Sequence, residues 1–595
     1  MITSKLSKYL LLLLIPLFSI TMLTACSDDD DGPTVVDPDP EPEPEPEPEP
    51  TLVDIASDDE RFSTLVGIVS DLDLVETLST EELTVFAPTN EAFDKISEVI
   101  PDLSNEDLEQ IVTYHLLAGT VLSGDLDAQQ DVEMLQGEVA LVQASAAGVT
   151  INGFASVIEA DLTASNGVIH AIDEVLLPKE FRVALQGPSL VEVAEDAGNF
   201  ETLLGLVDDL GLRTTLQHLG PYTAFAPTDE AFNNLFEVVD PATLTPEQLG
   251  FILTYHVLFG ETLSTDLEAQ QAVPTVAEEP VYITAGDEGV FVNGTAQVTQ
   301  ADITEPTNGV IHVVDTVLLP NAFNTVAGVV SKNYDLATLL SEVAERPEIL
   351  EALSNPDADL TVFAPDNEAF GAALSAFPDL TAEQITDILT YHVLAAKVLS
   401  TDLEASQTVE ALSGEALYVT VEDGSVSINN SATVTTADLE GNNGAVHVID
   451  GVLLPNKFQN VVQIASKNYD LSTLVSLVAD AGLVSTLEGD GPFTVFAPTN
   501  AAFEEISETL ETLTEEQVAD VLTYHVAGLE ALSGDLSDGM TVPTVQGEDI
   551  TVNIDGDGNV TLNDSVNVVT VDLQGINGVI HIIDGVLIPP SFSEE

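Results

Sequence analysis

The feature that most limits how this chain can fold is a segment ending in Tyr-His, which occurs four times. It reads Ile-Val-Thr-Tyr-His, Ile-Leu-Thr-Tyr-His twice, and Val-Leu-Thr-Tyr-His, with tyrosines at positions 114, 255, 391 and 524. These tyrosines are 141, 136 and 133 residues apart. Such a period is too long for a solenoid unit and matches a whole globular domain. We therefore predict four tandem copies of one domain.

Two further landmarks recur in the same order around each Tyr-His segment. A Phe-Ala-Pro turn precedes it, with the phenylalanines at 86, 225, 363 and 496. An Asn-Gly-(Val/Ala)-(Ile/Val)-His segment follows it and ends at His170, His312, His447 and His581. The two histidines of a copy are 55 or 56 residues apart every time. We place the four domains at 51–180, 188–320, 321–455 and 456–595.

Helical and strand patterns alternate within each copy, which predicts an α+β domain. Apolar residues at spacings of three and four predict an amphipathic helix near its start. After Phe-Ala-Pro comes Thr or Asp, a good N-cap for the next helix. The Tyr-His helix opens on a capping box such as Thr381-Ala-Glu-Gln384. The second half alternates like strands, with an Asp423-Gly424 hairpin turn and a final apolar strand that should be covered on both faces.

The two residues of the Tyr-His motif have different predicted environments. His115 continues the apolar stripe of Leu108, Ile111 and Val112 at helical spacing. A histidine on such a stripe is more often a neutral core residue than a ligand. The tyrosine lies one step off the stripe, so we expect its ring edge at the surface. The second histidine of each copy, in an apolar strand, is also predicted to be structural.

The N-terminus has the pattern of a targeting segment. Lys5 and Lys8 precede an apolar run, and Leu23-Thr24-Ala25-Cys26 follows it. This tetrapeptide resembles the lipobox of bacterial lipoproteins, which implies cleavage after residue 25 and acylation of Cys26. An ordinary secretory signal is the alternative. Cys26 is the sole cysteine, so no intramolecular disulfide can form.

Residues 26–50 are predicted to be an acidic, proline-rich tether. Their Asp run and Glu-Pro repeats combine charge repulsion with a fixed extended backbone. Acidic residues directly after the cysteine resemble the surface-export signal of such lipoproteins. No later stretch has the ~18 apolar residues of a membrane span. We therefore expect an exported outer-membrane lipoprotein, exposed at the cell surface and held to the membrane through Cys26 alone.

The formal net charge of −90 limits the possible partners. Phosphate groups repel such a field, so we exclude nucleic acid and anionic membrane surfaces as direct partners. Self-repulsion of this size needs screening, and we expect a saline habitat.

The three landmarks together resemble the fasciclin-like domain. The resemblance covers nearly all of the chain after residue 51, in four copies. It implies a wedge of two packed β-sheets flanked by helices, and a role in extracellular adhesion or matrix attachment. In some animal members the Tyr-His region is implicated in integrin binding. Carried over as a contact surface, the resemblance implies partner-binding residues at Tyr114, His115, Tyr255, His256, Tyr391, His392, Tyr524 and His525.

Catalytic and metal chemistry is not predicted. The histidines, tyrosine and aspartate of a copy have suitable side chains, but core histidines lack solvent access. The sequence has no Gly-x-Ser-x-Gly and no His-Glu-x-x-His. We therefore predict a protein that is not an enzyme and has no cofactor and no dedicated metal site.

One stretch imitates a calcium loop. Asn553, Asp555, Asp557 and Asp564 have ligand-like spacing, but strands flank them and the other copies have plain turns there. A hairpin turn is the favoured interpretation, and calcium binding at the Asn553–Asp564 turn stays open. Weak divalent cation binding over the acidic surface is expected.

These observations predict a lipid-anchored adhesion protein. Its partner would be extracellular matrix or a cell-surface protein or glycan, bound by repeated modules. Two alternatives stay open. The first is a glycan-binding surface lipoprotein, against which the absence of Trp argues. The second is a passive surface spacer.

Overall fold

The computed structural model describes residues 49–556 and 558–593. The predicted signal segment, Cys26 and the tether up to residue 48 lie outside the described residues. The chain from Thr51 onward forms one compact unit. We call its four repeats domains 1 to 4.

Within the described residues each domain has seven strands. In domain 1 they are β1 Leu83–Pro88, β2 Leu116–Ala118, β3 Gln129–Glu133, β4 Val139–Ser145, β5 Gly148–Ile151, β6 Ala155–Ala164 and β7 Gly167–Ile172. In domain 2 they are β8 Tyr222–Pro227, β9 Val257–Phe259, β10 Gln270–Pro274, β11 Pro280–Gly286, β12 Gly289–Val292, β13 Ala296–Ile303 and β14 Gly309–Val314. In domain 3 they are β15 Leu360–Pro365, β16 Val393–Leu394, β17 Ser406–Glu410, β18 Ala416–Glu422, β19 Ser425–Ile428, β20 Ala432–Gly441 and β21 Gly444–Ile449. In domain 4 they are β22 Phe493–Pro498, β23 Val526–Ala527, β24 Thr541–Pro543, β25 Asp549–Ile554, β26 Val560–Leu562, β27 Val566–Gln574 and β28 Gly578–Ile583.

Helices precede and interrupt the strands. Domain 1 has α1 Leu52–Asp58, α2 Ser63–Asp71, α3 Val75–Thr80, α4 Asn90–Asp94 and α5 Asn105–Thr113, and α6 Lys179–Gln186 follows it. Domain 2 has α7 Leu190–Ala197, α8 Glu201–Asp209, α9 Arg213–His218, α10 Asp229–Phe236 and α11 Pro246–Thr254. Domain 3 has α12 Val326–Lys332, α13 Ala337–Ala344, α14 Pro347–Ser354, α15 Asn367–Ala376 and α16 Ala382–Tyr391. Domain 4 has α17 Val461–Lys467, α18 Ser472–Asp480, α19 Val484–Leu487, α20 Asn500–Glu505, α21 Ser507–Leu510 and α22 Glu515–Tyr524.

The strand order is the same in all four domains. In domain 1 it is β2-β1-β7-β6-β5-β4-β3, with β1 and β7 parallel and the other pairs antiparallel. Residues 155–156 of β6 pair with β5 and residues 157–164 pair with β7, and the β6–β7 pairing has two register shifts. Bulges of this kind bend a strand sharply. The two expected sheets are therefore the two halves of one continuous seven-stranded sheet, which bends so that the halves pack against each other.

Each domain has a core on either side of its central strands. In domain 1 one core lies between the helices and β1–β7, and it includes Phe62 and Val85. The second core lies between the two sheet halves and includes Phe86 and Val142. Strand β7 contributes to both, and all six of its residues are buried. The predicted apolar strand with two covered faces is thus confirmed, as is the α+β class with four repeated domains.

The Asn-Gly landmark holds the first helix to the sheet. In domain 3 the Asn443 side chain accepts from the Val326 amide at the start of α12 and donates to the carbonyls of Leu353 and Asn355. Gly444 follows with a φ of +153°, and a Cβ there would lie 2.0 Å from the Leu360 carbonyl oxygen. A side chain at this glycine is therefore excluded by sterics.

Candidate functional site

The Tyr-His helix ends where the two cores of a domain meet. In domain 1 the capping box of Ser104 and Asp107 starts α5, as predicted. Ile111 and Val112 pack into the helix-side core. Tyr114, the next residue after the helix, packs into the core between the sheet halves. One short segment thus anchors both cores.

The histidine of the motif is a buried crosslink between backbone groups. His115 Nδ1–H donates to the Ile111 carbonyl at 2.8 Å, and Nε2 accepts from the Leu176 amide at 2.8 Å. His256, His392 and His525 make the same two bonds, and all four side chains are 1–3 % exposed. Burial lowers the pKa of each to about 4, against the backbone hydrogen bond, which raises it. The prediction of a neutral core histidine is confirmed.

The tyrosine of the motif is also buried, so the expectation of an exposed ring edge is wrong. The four rings are 0–1 % exposed. Tyr114 Oη donates to the Val139 carbonyl at 3.2 Å and accepts from Asn152 Nδ2 at 3.1 Å. Asn152 is in the left-handed region, at a φ of +51°, and its Oδ1 accepts from the Leu141 amide. Partner binding at Tyr114, His115, Tyr255, His256, Tyr391, His392, Tyr524 and His525 stays a prediction, and in this conformation their rings are not accessible.

The second histidine belongs to a Ser-Asp-His group that the sequence analysis missed. Ser123 Oγ donates to Asp161 Oδ2 at 2.5 Å, and the Asp161 amide donates to His170 Nδ1 at 3.2 Å. His170 Nε2–H donates to the Val121 carbonyl at 2.9 Å. The hydrogen bonds from Ser123 hold the pKa of Asp161 below its usual value. The equivalent groups are Ser264-Asp302-His312, Ser400-Asp438-His447 and Ser533-Asp572-His581.

This group has the residue types of a hydrolase triad but not its connections. In a triad the histidine accepts from the serine, and the aspartate orients the histidine. Here the serine donates to the aspartate, and backbone groups occupy both ring nitrogens. The aspartate has a positive φ of 57–61° at the bulge that bends the sheet. The group therefore fixes the bend. Its sequence signal is the Ser-(Gly/Thr)-Asp-Leu segment that recurs in every copy.

A buried cation lies at each domain junction. The three are Arg182, Lys332 and Lys467, and they are 4–6 % exposed. Lys332 of domain 3 places Nζ 5.1 Å from the centroid of the Tyr255 ring in domain 2 and 3.2 Å from Glu279 Oε1. A cation over a desolvated aromatic ring is a favourable contact. The motif tyrosine of one domain is thus covered by the next.

The junction between domains 3 and 4 repeats this arrangement. Lys467 Nζ lies 5.2 Å from the Tyr391 ring centroid and donates to its hydroxyl at 3.2 Å. Burial lowers the pKa of Lys467 to about 8, against the charge of Glu415. Two tyrosines from neighbouring domains meet edge to face at each of these two junctions, as Tyr282 with Tyr334 and Tyr418 with Tyr469.

The first junction uses different residues. Arg182 comes from α6 and pairs with Glu192 of α7 at 2.7 Å. Burial raises the pKa of Glu192, but the hydrogen bonds from Arg182 and Ser189 outweigh it and the net pKa is lowered. Helix α9 of domain 2 contacts domain 1 directly, because Thr214 Oγ1 donates to Asp131 Oδ2 at 3.0 Å. All three junctions therefore contain a polar contact made by a buried cation.

The described residues hold no cluster suited to a metal ion and no helix suited to a membrane. In the part of the chain that the structure describes, no group of three or more His, Cys, Asp or Glu side chains is placed to hold a metal ion. The Asn553–Asp564 stretch contains the turn between β25 and β26, with Asn559 bonded to Asp555, and Asp557 lies outside the described residues. No described helix has the length and apolar character needed to cross a bilayer.

The architecture defines a class of protein that is built from tandem helix-and-sheet modules with buried junctions. The profile of the Fasciclin domain matches residues 60–178, 198–320, 335–455 and 469–589. The chain belongs to the fasciclin family, as the resemblance implied.

Relatives in this family share most of the chain. Transforming growth factor-beta-induced protein ig-h3 of Sus scrofa is 29 % identical over 85 % of this chain and 73 % of its own length. Periostin of Homo sapiens is 28 % identical over 85 % of this chain and 60 % of its own length. A solved fasciclin domain pair, from the insect cell adhesion molecule fasciclin I, is 21 % identical with a TM-score of 0.35, over 43 % of this chain and 98 % of its own.

Proposed function

We propose that this chain is an adhesion protein of the cell exterior that binds extracellular matrix or other cells through its fasciclin domains. The observation that carries the proposal is family membership over four consecutive domains, shared over 85 % of the chain with ig-h3 and periostin. Adhesion is the role that the family implies. The protein acts by binding, not by catalysis, and the occupied ring nitrogens of the Ser-Asp-His groups support this.

The predicted partner-binding residues of the Tyr-His motifs support the adhesive surface from beneath it. Their rings are enclosed, so the eight residues act on binding through the surface that they hold in place. Tyr524→Phe in the full chain tests this, because it removes a hydroxyl and no contact area. Binding to cells should change only as far as the melting temperature changes. A variant with unchanged melting temperature and lost binding would show that the hydroxyl itself contacts the partner.

The chain is anchored through an acylated Cys26, which brings the domains to the outer face of the outer membrane. The lipobox-like Leu23-Thr24-Ala25-Cys26 supports this step. Two acyl chains hold a protein stably on a membrane, whereas one holds it weakly. A Cys26→Ser chain should leave the membrane fraction, and protease added to whole cells should remove the domains of the unchanged chain. Retention of Cys26→Ser in the membrane fraction contradicts the anchor.

Binding itself is tested at high salt with the whole mature chain. Single domains are not used, because separating them would expose the buried junctions. Purified chain is applied to matrix-coated surfaces, to cells and to a glycan array. Saturable binding to matrix or cells supports adhesion. Binding confined to glycans would favour the glycan-binding alternative, which the absence of Trp opposes.

A passive spacer is the second candidate, and a specific observation favours it. The motif tyrosines are enclosed, and at two junctions the next domain covers them with a lysine. Such joints suit a stiff arm that carries no binding site of its own. Failure of the whole chain to bind matrix, cells and glycans in the experiment above would support this candidate over adhesion.

A further inference from the structure

Each domain has a cavity in the same place, between its first helices and its central strands. Its volume differs between the domains. It is about 20 Å³ in domain 3, 30 Å³ in domain 1 and 90 Å³ in domain 4, but about 200 Å³ in domain 2. We call the last one the domain 2 cavity. Its walls include Leu204, Leu216, Tyr222 and Ile311.

Two alanines distinguish the domain 2 cavity from the cavities of the other three domains. The third residue of the first strand is Val85, Val362 or Val495 elsewhere, and each lines the smaller cavity of its own domain. In domain 2 that residue is Ala224. The fifth residue after the cap of the first helix is Ala194 in domain 2 and Val330 in domain 3. The cavity volume is about 20 Å³ where both positions are valine and 30 or 90 Å³ where one position is valine. It is about 200 Å³ in domain 2, where neither position is valine.

The domain 2 cavity leaves apolar surface open to water. Ala224 is half-buried, whereas Val85, Val362 and Val495 are 3–7 % exposed. The helix-side core is one cluster in the other three domains, but in domain 2 it is divided into two. The Phe259 ring is 70 % exposed and lies 6.1 Å from the ring of Tyr222 in the cavity wall. Domains 1, 3 and 4 have Ala118, Ala395 and Gly528 at the position of Phe259.

The wall chemistry selects the class of ligand. The side chains that line the domain 2 cavity are uncharged. The imidazole of His256 is there, but both of its nitrogens are bonded to backbone groups. A charged head group would find no partner, and an anion would meet the field of a chain with net charge −90. An engineered apolar cavity of ~150 Å³ in another protein binds benzene.

We propose that the domain 2 cavity is a binding site for one uncharged hydrocarbon group, either a substituted benzene ring or a short alkyl chain. The ligand fills the space left by Ala194 and Ala224 and covers the apolar surface that water now reaches. Domains 1, 3 and 4 have no equivalent site, because a valine occupies at least one of the two positions.

Titration calorimetry on the full mature chain tests the proposal. Toluene represents a free aromatic molecule, and octyl glucoside below its critical micelle concentration represents the uncharged alkyl tail of a lipid. We expect one equivalent bound per chain and a rise of the melting temperature of about 3 °C or more at saturation. Binding of either probe supports the class, and the probe that binds identifies the source. If neither binds saturably, the proposal is wrong.

Two variants make the test specific. Ala224→Val restores the residue of the other domains and should weaken binding at least tenfold while the chain keeps its cooperative unfolding. Val495→Ala is the matched variant that should create a second site, because domain 4 already has Ala465 at the helix position. This variant should raise the stoichiometry to two ligands per chain. Unchanged binding by Ala224→Val overturns the proposal. So does a Val495→Ala chain that still binds one equivalent, because the alanine pair would then not define the site.

Discussion

Lys467 of domain 4 donates a hydrogen bond to the hydroxyl of Tyr391 in domain 3, and the two atoms are 3.2 Å apart. The lysine is 4 % exposed and the tyrosine 0 %. The hydroxyl also donates to the Ala416 carbonyl and accepts from Asn429. One oxygen therefore connects the core of domain 3 to the first helix of domain 4.

Removal of the Tyr391 hydroxyl, which lies at a junction, should lower the free energy of unfolding more than removal of the equivalent Tyr524 hydroxyl. Tyr391→Phe leaves Asn429, the Ala416 carbonyl and Lys467 each one partner short. Tyr524→Phe is the matched control, because the Tyr524 hydroxyl bonds Asn563 and the Asp549 carbonyl and no lysine among the described residues. An unsatisfied buried group costs ~1–3 kcal/mol, so we expect Tyr391→Phe to lower the free energy of unfolding by ~1 kcal/mol more than Tyr524→Phe. Equal losses in urea denaturation would contradict the junction contact.

The pH dependence of Lys467 has a definite sign. Burial lowers its pKa to about 8 in the folded chain, from 10.5 in the unfolded chain. Between these values the unfolded chain binds the proton and the folded chain does not, so the free energy of unfolding rises with pH. The gain is on the order of 3 kcal/mol between pH 8 and pH 10.5. Lys467→Met should lack it.

The control for this measurement is Lys457→Met. Lys457 lies on the surface beside Asp387, with about half of its side chain exposed. Unfolding of the three chains is compared at pH 7, 9 and 10.5. If Lys467→Met and the unchanged chain have parallel profiles, Lys467 is not held in a desolvated site.

The buried motif histidines predict lability in weak acid. The pKa of His525 is about 4 in the folded chain and 6.5 unfolded, because burial penalises the charged ring. As the pH falls from 6.5 to 4 the unfolded chain gains a proton that the folded chain does not, so the free energy of unfolding falls by ~3 kcal/mol per histidine. The His525→Leu chain should have a lower free energy of unfolding at pH 7, and this free energy should change less with pH across the interval.

Acidification also relieves charge repulsion, so the difference between the two chains is the quantity to measure. Chemical denaturation at pH 7, 5.5 and 4.5 provides it. A gap between His525→Leu and the unchanged chain that stays constant with pH would show that the imidazole is hydrated.

A methyl group at Gly444 should have the opposite effect from one at Gly371. A Cβ at Gly444 would lie 2.0 Å from the Leu360 carbonyl oxygen, so the central parallel pair must separate. We expect Gly444→Ala to cost more than ~3 kcal/mol. Gly371 lies in α15 with nothing within 4 Å of its Cβ position, so Gly371→Ala should stabilise by ~0.5–1 kcal/mol. Thermal unfolding of the two variants checks both signs.

Salt should stabilise the whole chain. At a net charge of −90 the folded state is opposed by its own repulsion, and the Debye length shortens from ~10 Å at 0.1 M to ~3 Å at 1 M. We expect the melting temperature to rise steadily with NaCl. Sucrose at matched osmolality is the control for exclusion effects. A melting temperature indifferent to NaCl would remove the argument for a saline habitat.

Local sequence patterns predicted the parts of the fold that depend on neighbours in the chain. The capping boxes, the Thr and Asp caps and the Asp423-Gly424 hairpin are all present. Tyr114 was placed wrongly because helical spacing assumes one buried face. The helix ends between two cores, so a residue one step off the first face enters the second. Such a position depends on the bend in β6, which the sequence pattern of α5 does not contain.

The junction lysines show the same limit. Ser-Lys-Asn-Tyr-Asp-Leu occurs at 331–336 and 466–471, where it marks domains 3 and 4 as the most similar pair. Nothing in the segment itself indicates a buried lysine. Its burial comes from Tyr255 or Tyr391 and from Glu279 or Glu415, which belong to the preceding domain. The partner is thus more than 50 residues away along the chain.

Domain 3 carries both halves of this joint, with Lys332 at its front and Tyr391 at its back. Gene duplication of such a unit brings a working coupling along with each new copy. The number of domains can then change by whole units, and no new interdomain contact has to evolve each time.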